Sequence, residues 1–245
     1  MQADTKVHAS VTGVVVVFLV DLKSNQRSWG WLKLVQGTSA LMQLPGVVFA
    51  KVMGSGHEGG FGLRPSPTHQ GLVMVFDGFQ HARAFLNSET IDQYKSHARE
   101  WWSAVMVIDS SRGQWNQLEW RSSEPMDESL QEREVRNFTW IATLTRASIR
   151  AASTLAFWRF APAAQADLTK AQGCILAMGL GEAPLLRQCT FSVWRDTQSM
   201  LNYAQTGAHL NAIQAAYKHQ FFSESMFVRM RVLSVAGIWA GVHYG

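Results

Sequence analysis

The sequence predicts an α+β chain made of two ferredoxin-like β-α-β-β-α-β units in tandem, closing together into a pseudo-symmetric dimeric α+β barrel within one chain. Three observations predict it. The spacing Trp31, Gly46, Gly54 is repeated by Trp158, Gly173, Gly181 at a constant offset of 127 residues (158 − 31). Between the paired glycines lie VVFAKVM and CILAMGL, two apolar runs of strand length. Further on, VMVFD and FSVWRD each lead into a helical pattern and then an aromatic pair, Trp101-Trp102 and Phe221-Phe222, now offset by 120 (221 − 101). The first half carries the extra residues in its Gly- and Pro-rich stretch from Ser55 to Gln70, where insertion is tolerated. Chance coincidence of Gly and Trp is the competing explanation, and agreement of several spacings with element order argues against it.

In the first unit the patterns give a strand at Val14 to Leu22, a helix from about Ser28 to Gln43, and strands at Val47 to Met53 and Leu72 to Phe76. A helix near His81 to Glu100 and a strand at Ser103 to Asp109 complete it. The second unit reads as Phe138 to Ile149, Ala151 to Ala171, Cys174 to Leu180, Gln188 to Trp194, Thr197 to Lys218 and Met226 to Val235. Such a unit has helices on one face of its sheet and leaves the other apolar and uncovered, so two units bury those faces against each other. The expected organisation is residues 1–111, a linker over 112–137 and a second unit over 138–245. The linker reads as exposed because Glu119, Glu124, Asp127, Glu128, Glu132 and Glu134 crowd it. The tail AGIWAGVHYG lacks periodicity and reads as surface, with Trp239 at least partly docked.

With 245 residues, 47% of them hydrophobic and only 16% charged, the chain buries a large core without disulfides. Its 10 Trp, 13 Phe and 10 Met exceed what an average soluble domain carries, so a bulky ligand lined by them is in view. A net charge of +4 spread singly along the chain implies no nucleic acid. It is compatible with a small anionic ligand or peripheral contact with an acidic membrane surface. The apolar run Gly13 to Val20 is too short to span a bilayer and lacks the basic flank of an export signal. A reducing, cytoplasmic setting is therefore expected, with possible association to a membrane and possible homo-oligomers.

Walker, Rossmann, HExxH, GxSxG and kinase signatures are all missing from the sequence. MGSGHEGGFG, Met53 to Gly62, resembles a phosphate loop only superficially, because it leads into Pro65 and Pro67; a lid or a plain insertion is the better reading. The eight histidines form no spaced metal triad. His209 stands apart within TGAHLNAIQAAYKH, sharing a helical face with Ala212, Ile213 and Ala216. Small neighbours leave a flat space that a planar cofactor could occupy, with imidazole available to iron. A core histidine bonded to a neighbour is the plain alternative, and His97 and His219 are competitors. Arg146, Arg150, Arg159, Arg229 and Arg231 cluster in the second unit; they could meet carboxylates of a cofactor, or simply pair with Glu182, Glu224 or Asp196. Phe157, Trp158, Phe160, Phe191, Trp194, Phe221, Phe222 and Phe227 could line a cavity or only form core. Cys174 and Cys189 make a thiolate ligand a minor option.

The segments LTRASIR, LAFWRFAP, MGLGEAP, TFSVWRD, GAHLNAI and FFSESMFVRM, between Leu144 and Met230, resemble the spheroidene monooxygenase family of carotenoid biosynthesis. The resemblance is strong over about residues 138–231 and weak in the first half. It implies a haem b (iron) monooxygenase of the dimeric α+β barrel type that introduces a keto group into an acyclic, spheroidene-like carotenoid, using O2 and a reduced ferredoxin-type donor. By analogy with other haem proteins of that architecture, His209 is expected as proximal iron ligand, with Ala212, Ile213, Arg150 and Arg159 around the cofactor. Arg146 or Arg229 is then expected at the propionates or the distal oxygen ligand, in catalytic roles. Two other readings stay open: a haem dehydratase or lyase of the aldoxime dehydratase type, and a non-catalytic carrier of haem or a lipophile.

Overall fold

The computed structural model describes residues 10–123, 139–183 and 185–245. The first unit runs β1 (Val14–Leu22), α1 (Arg27–Gln36), β2 (Val47–Gly56), β3 (Pro65–Phe76), α2 (Phe79–Leu86), α3 (Glu89–His97) and β4 (Ala98–Gly113). The second repeats it as β5 (Ile141–Ile149), α4 (Thr154–Lys170), β6 (Cys174–Ala183), β7 (Arg187–Trp194), α5 (Thr197–Ala204), α6 (Gly207–Lys218) and β8 (Phe222–Trp239). The strands close in the order β8-β4-β1-β3-β2-β6-β7-β5 and back to β8, an eight-stranded barrel. Gly54 and Gly181, equivalent by the sequence spacing, are the pair joining β2 to β6, so the pseudo-two-fold relating the units passes between them.

Alternation along each strand divides the apolar side chains between two layers. Inside the barrel, Val15, Val17, Leu19, Trp102, Met106, Leu144, Met178, Phe191, Val228 and Met230 form one continuous core. Outside it, under α1 to α3, Val16, Phe18, Val20, Leu72, Met74 and Phe76 pack with Phe85, Ile91 and Tyr94 into a second. In the corresponding cluster of the second unit only Leu168, Trp194 and Met200 are buried, with eight partly buried neighbours around them.

Four details differ from the sequence expectation. The helix expected from about Ser28 to Gln43 ends at Gln36, where Gly37 takes φ +61, and only a 3-10 turn at Leu41–Gln43 follows. Each long second helix is two helices. His209 therefore lies in the first turn of α6, not mid-helix, because Gly207 takes φ +59 where a side chain would strike the Asp167 carboxylate. The described part of the expected linker is exposed only in places: Arg112, Asn116, Gln117 and Arg121 face solvent, but Trp115 and Trp120 are buried in the barrel core, and Glu119–Trp120 pairs with Ser10–Val11. Glu124, Asp127, Glu128, Glu132 and Glu134 fall outside the described residues. The tail extends β8 and returns as β9 (Val242–Tyr244), with Trp239 and Tyr244 against the barrel core. No helix among the described residues is long and apolar enough to cross a membrane.

Candidate functional site: a cavity in the second unit

A cavity of about 220 Å³ lies between the outer face of β5, β7 and β8 and the helices α4, α5 and α6. Its floor is the sheet: Thr143, Thr145 and Ala147 from β5, Gln188, Thr190 and Ser192 from β7, and Phe227 from β8. These alternate residues project to one face because successive strand side chains point opposite ways. Thr143 and Ser192 hydroxyls bond at 2.9 Å, and Trp194 Nε1 donates to Ser192 Oγ at 2.9 Å. The roof is apolar and mostly small, with Ala161 and Ala164 from α4 and Ala204, Ala212 and Ala216 from α5 and α6, flanked by aromatic rings.

His209 is in that roof, together with Ala212 and Ile213. Its Nδ1 is buried and has no hydrogen-bond partner. Burial lowers its pKa below the ordinary histidine value; the nearby Ala204 carbonyl and the charge of Asp167 only partly offset this. The imidazole is therefore neutral at neutral pH, and one nitrogen keeps a free lone pair. An orphaned polar atom in an apolar wall is costly unless something completes it. The ring is held in place from two sides. Tyr203 packs on it with centroids 4.5 Å apart, and Tyr203 Oη donates to the Ala164 carbonyl at 3.2 Å. Asp167 Oδ2 accepts from the Ala208 N–H at 2.7 Å and fixes the start of α6.

The structure does not bring all the expected residues here. Arg146 follows Leu144 into the barrel interior and is 1% exposed, the opposite face of β5 from Thr145 and His209. There its guanidinium pairs with Glu224, donates to Glu182 at 3.2 Å, and lies over the Trp115 ring. Glu182 also pairs with Lys51 at 2.8 Å and accepts from Trp115 Nε1 at 2.8 Å. Burial pushes the Glu182 carboxyl up, but the hydrogen bond and charge of Lys51, with Arg146, outweigh this and hold it low. Arg229 leaves the cavity for Asp109, at 2.7 Å. Arg159 is exposed on α4. Arg150 alone stays beside the cavity wall, with Nε donating to the Phe222 carbonyl at 3.2 Å.

His97 stacks on Trp29 in the first unit and His219 on Phe221, and neither lines the cavity. Cys189 is buried with its thiol pKa pushed up, and burial raises that of Cys174 to about 11, so both stay protonated at neutral pH. Neither lines the cavity. Sequence reasoning missed Phe61. The Gly-rich stretch leaves β2 and folds over β6, where Gly179 lacks the Cβ that would collide with the Gly60 carbonyl and the Phe61 ring; Phe61 thereby enters the cavity wall. It also missed the hydroxyl floor, although Thr143 and Thr145, with Thr190 and Ser192, repeat at i, i+2 inside apolar strands.

A closed eight-stranded α+β barrel with a lined hollow on one unit defines a protein of the dimeric α+β barrel class. Aldoxime dehydratase, solved in complex with butyraldoxime, matches over 92% of this chain and 82% of its own with a TM-score of 0.57 and 10% identity, a likeness of fold. No family model matches the chain. Spheroidene monooxygenase of Rubrivivax gelatinosus is 44% identical over 99% of this chain and 91% of its own length. That of Rhodobacter capsulatus is 29% identical over 87% of each. The chain belongs to the spheroidene monooxygenase family, and so to the monooxygenases among oxidoreductases.

Proposed function

We propose that the cavity holds haem b and that the protein is a haem-dependent monooxygenase introducing a keto group into an acyclic, spheroidene-like carotenoid. The observation that carries this is the partnerless, buried Nδ1 of a neutral His209 in a cavity of the unit whose counterpart is solid. The residues suit the group. Ala204, Ala212 and Ala216 leave room for a flat disc beside the imidazole, and the apolar roof suits its faces. The cavity as formed by the side chains alone is smaller than a porphyrin, so admitting one would require some of the aromatic rings that line it to move. Among the described residues no cluster of three or more His, Cys, Asp or Glu could hold a metal ion, so iron here depends on a macrocycle for its remaining ligands.

His209 would supply a nitrogen to the haem iron, and the Tyr203 ring packed on it together with the Asp167 cap on α6 holds the imidazole in place. Arg150 is placed to meet a propionate at the rim by Phe222. Phe157, Trp158, Phe222 and Phe227 offer a long apolar molecule a wall of rings, while the hydroxyls of Thr143, Thr145, Thr190 and Ser192, with Gln188, are the floor's hydrogen-bonding groups. The chemistry that haem supplies when bound is reductive activation of O2, with electrons from a reduced ferredoxin-type donor. Excluding water and holding a substrate carbon over the floor is the work of the chain.

The test is the optical spectrum of the purified protein as isolated, oxidised and dithionite-reduced. A Soret band is expected, and it is lost or shifted in His209→Ala. Full haem affinity with an unchanged spectrum in that variant overturns the ligand assignment. Product analysis with and without the electron donor, and in the absence of oxygen, separates monooxygenation from dehydration or mere carriage.

A further inference from the structure

The surface beside the cavity carries a feature that the chemistry above does not use. Leu155, in the first turn of α4, is 82% exposed, and Leu185 and Leu186 of the β6–β7 hairpin are 41% and 40% exposed. They form one patch. The Ile149 N–H donates to the Leu186 carbonyl at 2.7 Å, and Trp158 Nε1 donates to the Leu185 carbonyl at 3.2 Å, which ties the hairpin to both β5 and α4. Interleaved with these leucines are three exposed arginines. Arg150 follows β5 directly, Arg159 lies one helical turn beyond Leu155 on the same face, and Arg187 pairs in register with Ser148.

Charge on this patch has one sign. Nearby carboxylates are turned to other work: Glu182 and Glu224 hold Arg146, and Asp167 caps α6. Neither Arg159 nor Arg187 has a carboxylate partner among the described residues. The patch also continues into the cavity, because Trp158 and Phe222, which touch the hairpin and Arg150, line it. Exposed leucines beside unpaired arginines suit the boundary of an anionic bilayer, where apolar side chains enter the acyl region and guanidinium groups remain among the phosphates. Water gives those leucines no such gain, and the one-signed charge beside them is complementary to anionic headgroups.

We infer that Leu155, Leu185 and Leu186 with Arg150, Arg159 and Arg187 form a docking surface for an anionic phospholipid bilayer, through which an apolar ligand passes between the membrane and the cavity. The passage of ligand rests on the functional reading above; the docking does not.

The experiment is sedimentation of the full chain with phosphatidylcholine vesicles, with and without phosphatidylglycerol. Binding is expected only with the anionic lipid, falling as salt rises, and weakening about fivefold for each of Arg159→Gln and Arg187→Gln. The double variant L155S/L186S, altered only at exposed positions, is expected to lose binding while keeping its thermal midpoint. Val35→Ser is the control, since Val35 on α1 is 80% exposed and lies in the solid unit. Equal binding to neutral vesicles, loss of binding in Val35→Ser, or undiminished binding in L155S/L186S overturns the proposal. So does a salt-insensitive dimer that needs Leu155 and ignores vesicles, which would assign the patch to a second copy. Vesicle binding by a protein without a Soret band supports docking and sinks the haem reading alone.

Discussion

Strand register puts the two units side by side, position by position. Val16, Phe18 and Val20 of β1 face Met74, Leu72 and Gln70 of β3, and at the same places β5 offers Thr143, Thr145 and Ala147 against Ser192, Thr190 and Gln188 of β7. The helices follow with an offset of 118 (197 − 79), which sets Ile91 against His209 and Tyr94 against Ala212. In the first unit Ile91 is fully buried and the Tyr94 ring fills the layer against Phe18 and Trp29, at 5.9 and 4.9 Å. In the second the same places hold a hydroxyl, an imidazole and a methyl group, and the layer is hollow. Thus one backbone plan yields a packed half and a half with a cavity by exchange of a few side chains. A histidine replacing a core isoleucine without a hydrogen-bond partner makes sense only if something else meets it.

The barrel interior repeats the contrast, and there the largest effect is expected. Leu19 in the first unit becomes Arg146 in the second (146 − 127), a buried cation locked between Glu182 and Glu224. Arg146→Ala leaves those carboxylates without their shared partner and is expected to cost about 3–5 kcal/mol in urea unfolding. If haem binds as proposed, the spectrum of whatever remains folded should be unchanged, because Arg146 lies across the sheet from His209. A stable variant with an altered spectrum would restore Arg146 to the site and break the comparison.

Phe18 and Thr145 are equivalent in place and opposite in consequence. Phe18→Ala removes a fully buried ring from a packed layer and is expected to cost about 3–5 kcal/mol. Thr145→Ala, on an exposed cavity floor, should stay within about 0.5 kcal/mol. Equal losses from the two would mean that the cavity floor is packed like its counterpart. Refilling sharpens the point from the other side. Thr145→Phe with Ala212→Tyr rebuilds the first unit's plug in the second and should abolish haem uptake, while the buried rings add about 1–3 kcal/mol to thermal stability. Uptake persisting in this variant would place the ligand elsewhere.

Much of this plan was legible in the sequence because duplication writes itself as spacing. The Trp-Gly-Gly intervals gave the offset of 127, and strand patterns then placed all eight barrel strands to within a few residues at most of their ends. His209 was legible for a similar reason, as a lone imidazole among alanines on one helical face. The arginines were not. Alternation along β5 shows that Arg146 and Thr145 take opposite faces, but only the closed barrel decides which face holds the cavity. Trp115 and Trp120 were hidden because the acidic residues around them signal solvent, whereas their burial depends on a contact with Ser10–Val11 far back along the chain. Phe61 was hidden because its role depends on Gly179, 118 residues away (179 − 61), giving it room.

The smallest expected effect concerns protons, and it separates His209 from Ile91 without any ligand. Burial lowers the folded-state pKa of His209, so the unfolded chain binds a proton more readily than the folded one. Its contribution to stability is therefore complete above about pH 6.5 and declines as pH falls from there toward the lowered folded value. His69, also lowered chiefly by burial, adds a decline of the same sign, so the informative quantity is the difference between wild type and His209→Ile. The variant, with the first unit's residue in the second unit's place, should lose stability less steeply between pH 6.5 and 5 in urea titrations of the apo protein. Parallel curves would show that His209 is no more reluctant to take a proton in the folded chain than in the unfolded one. Its nitrogen would then carry a proton in a sizeable fraction of molecules just below neutral pH, and a ligand would have to displace that proton.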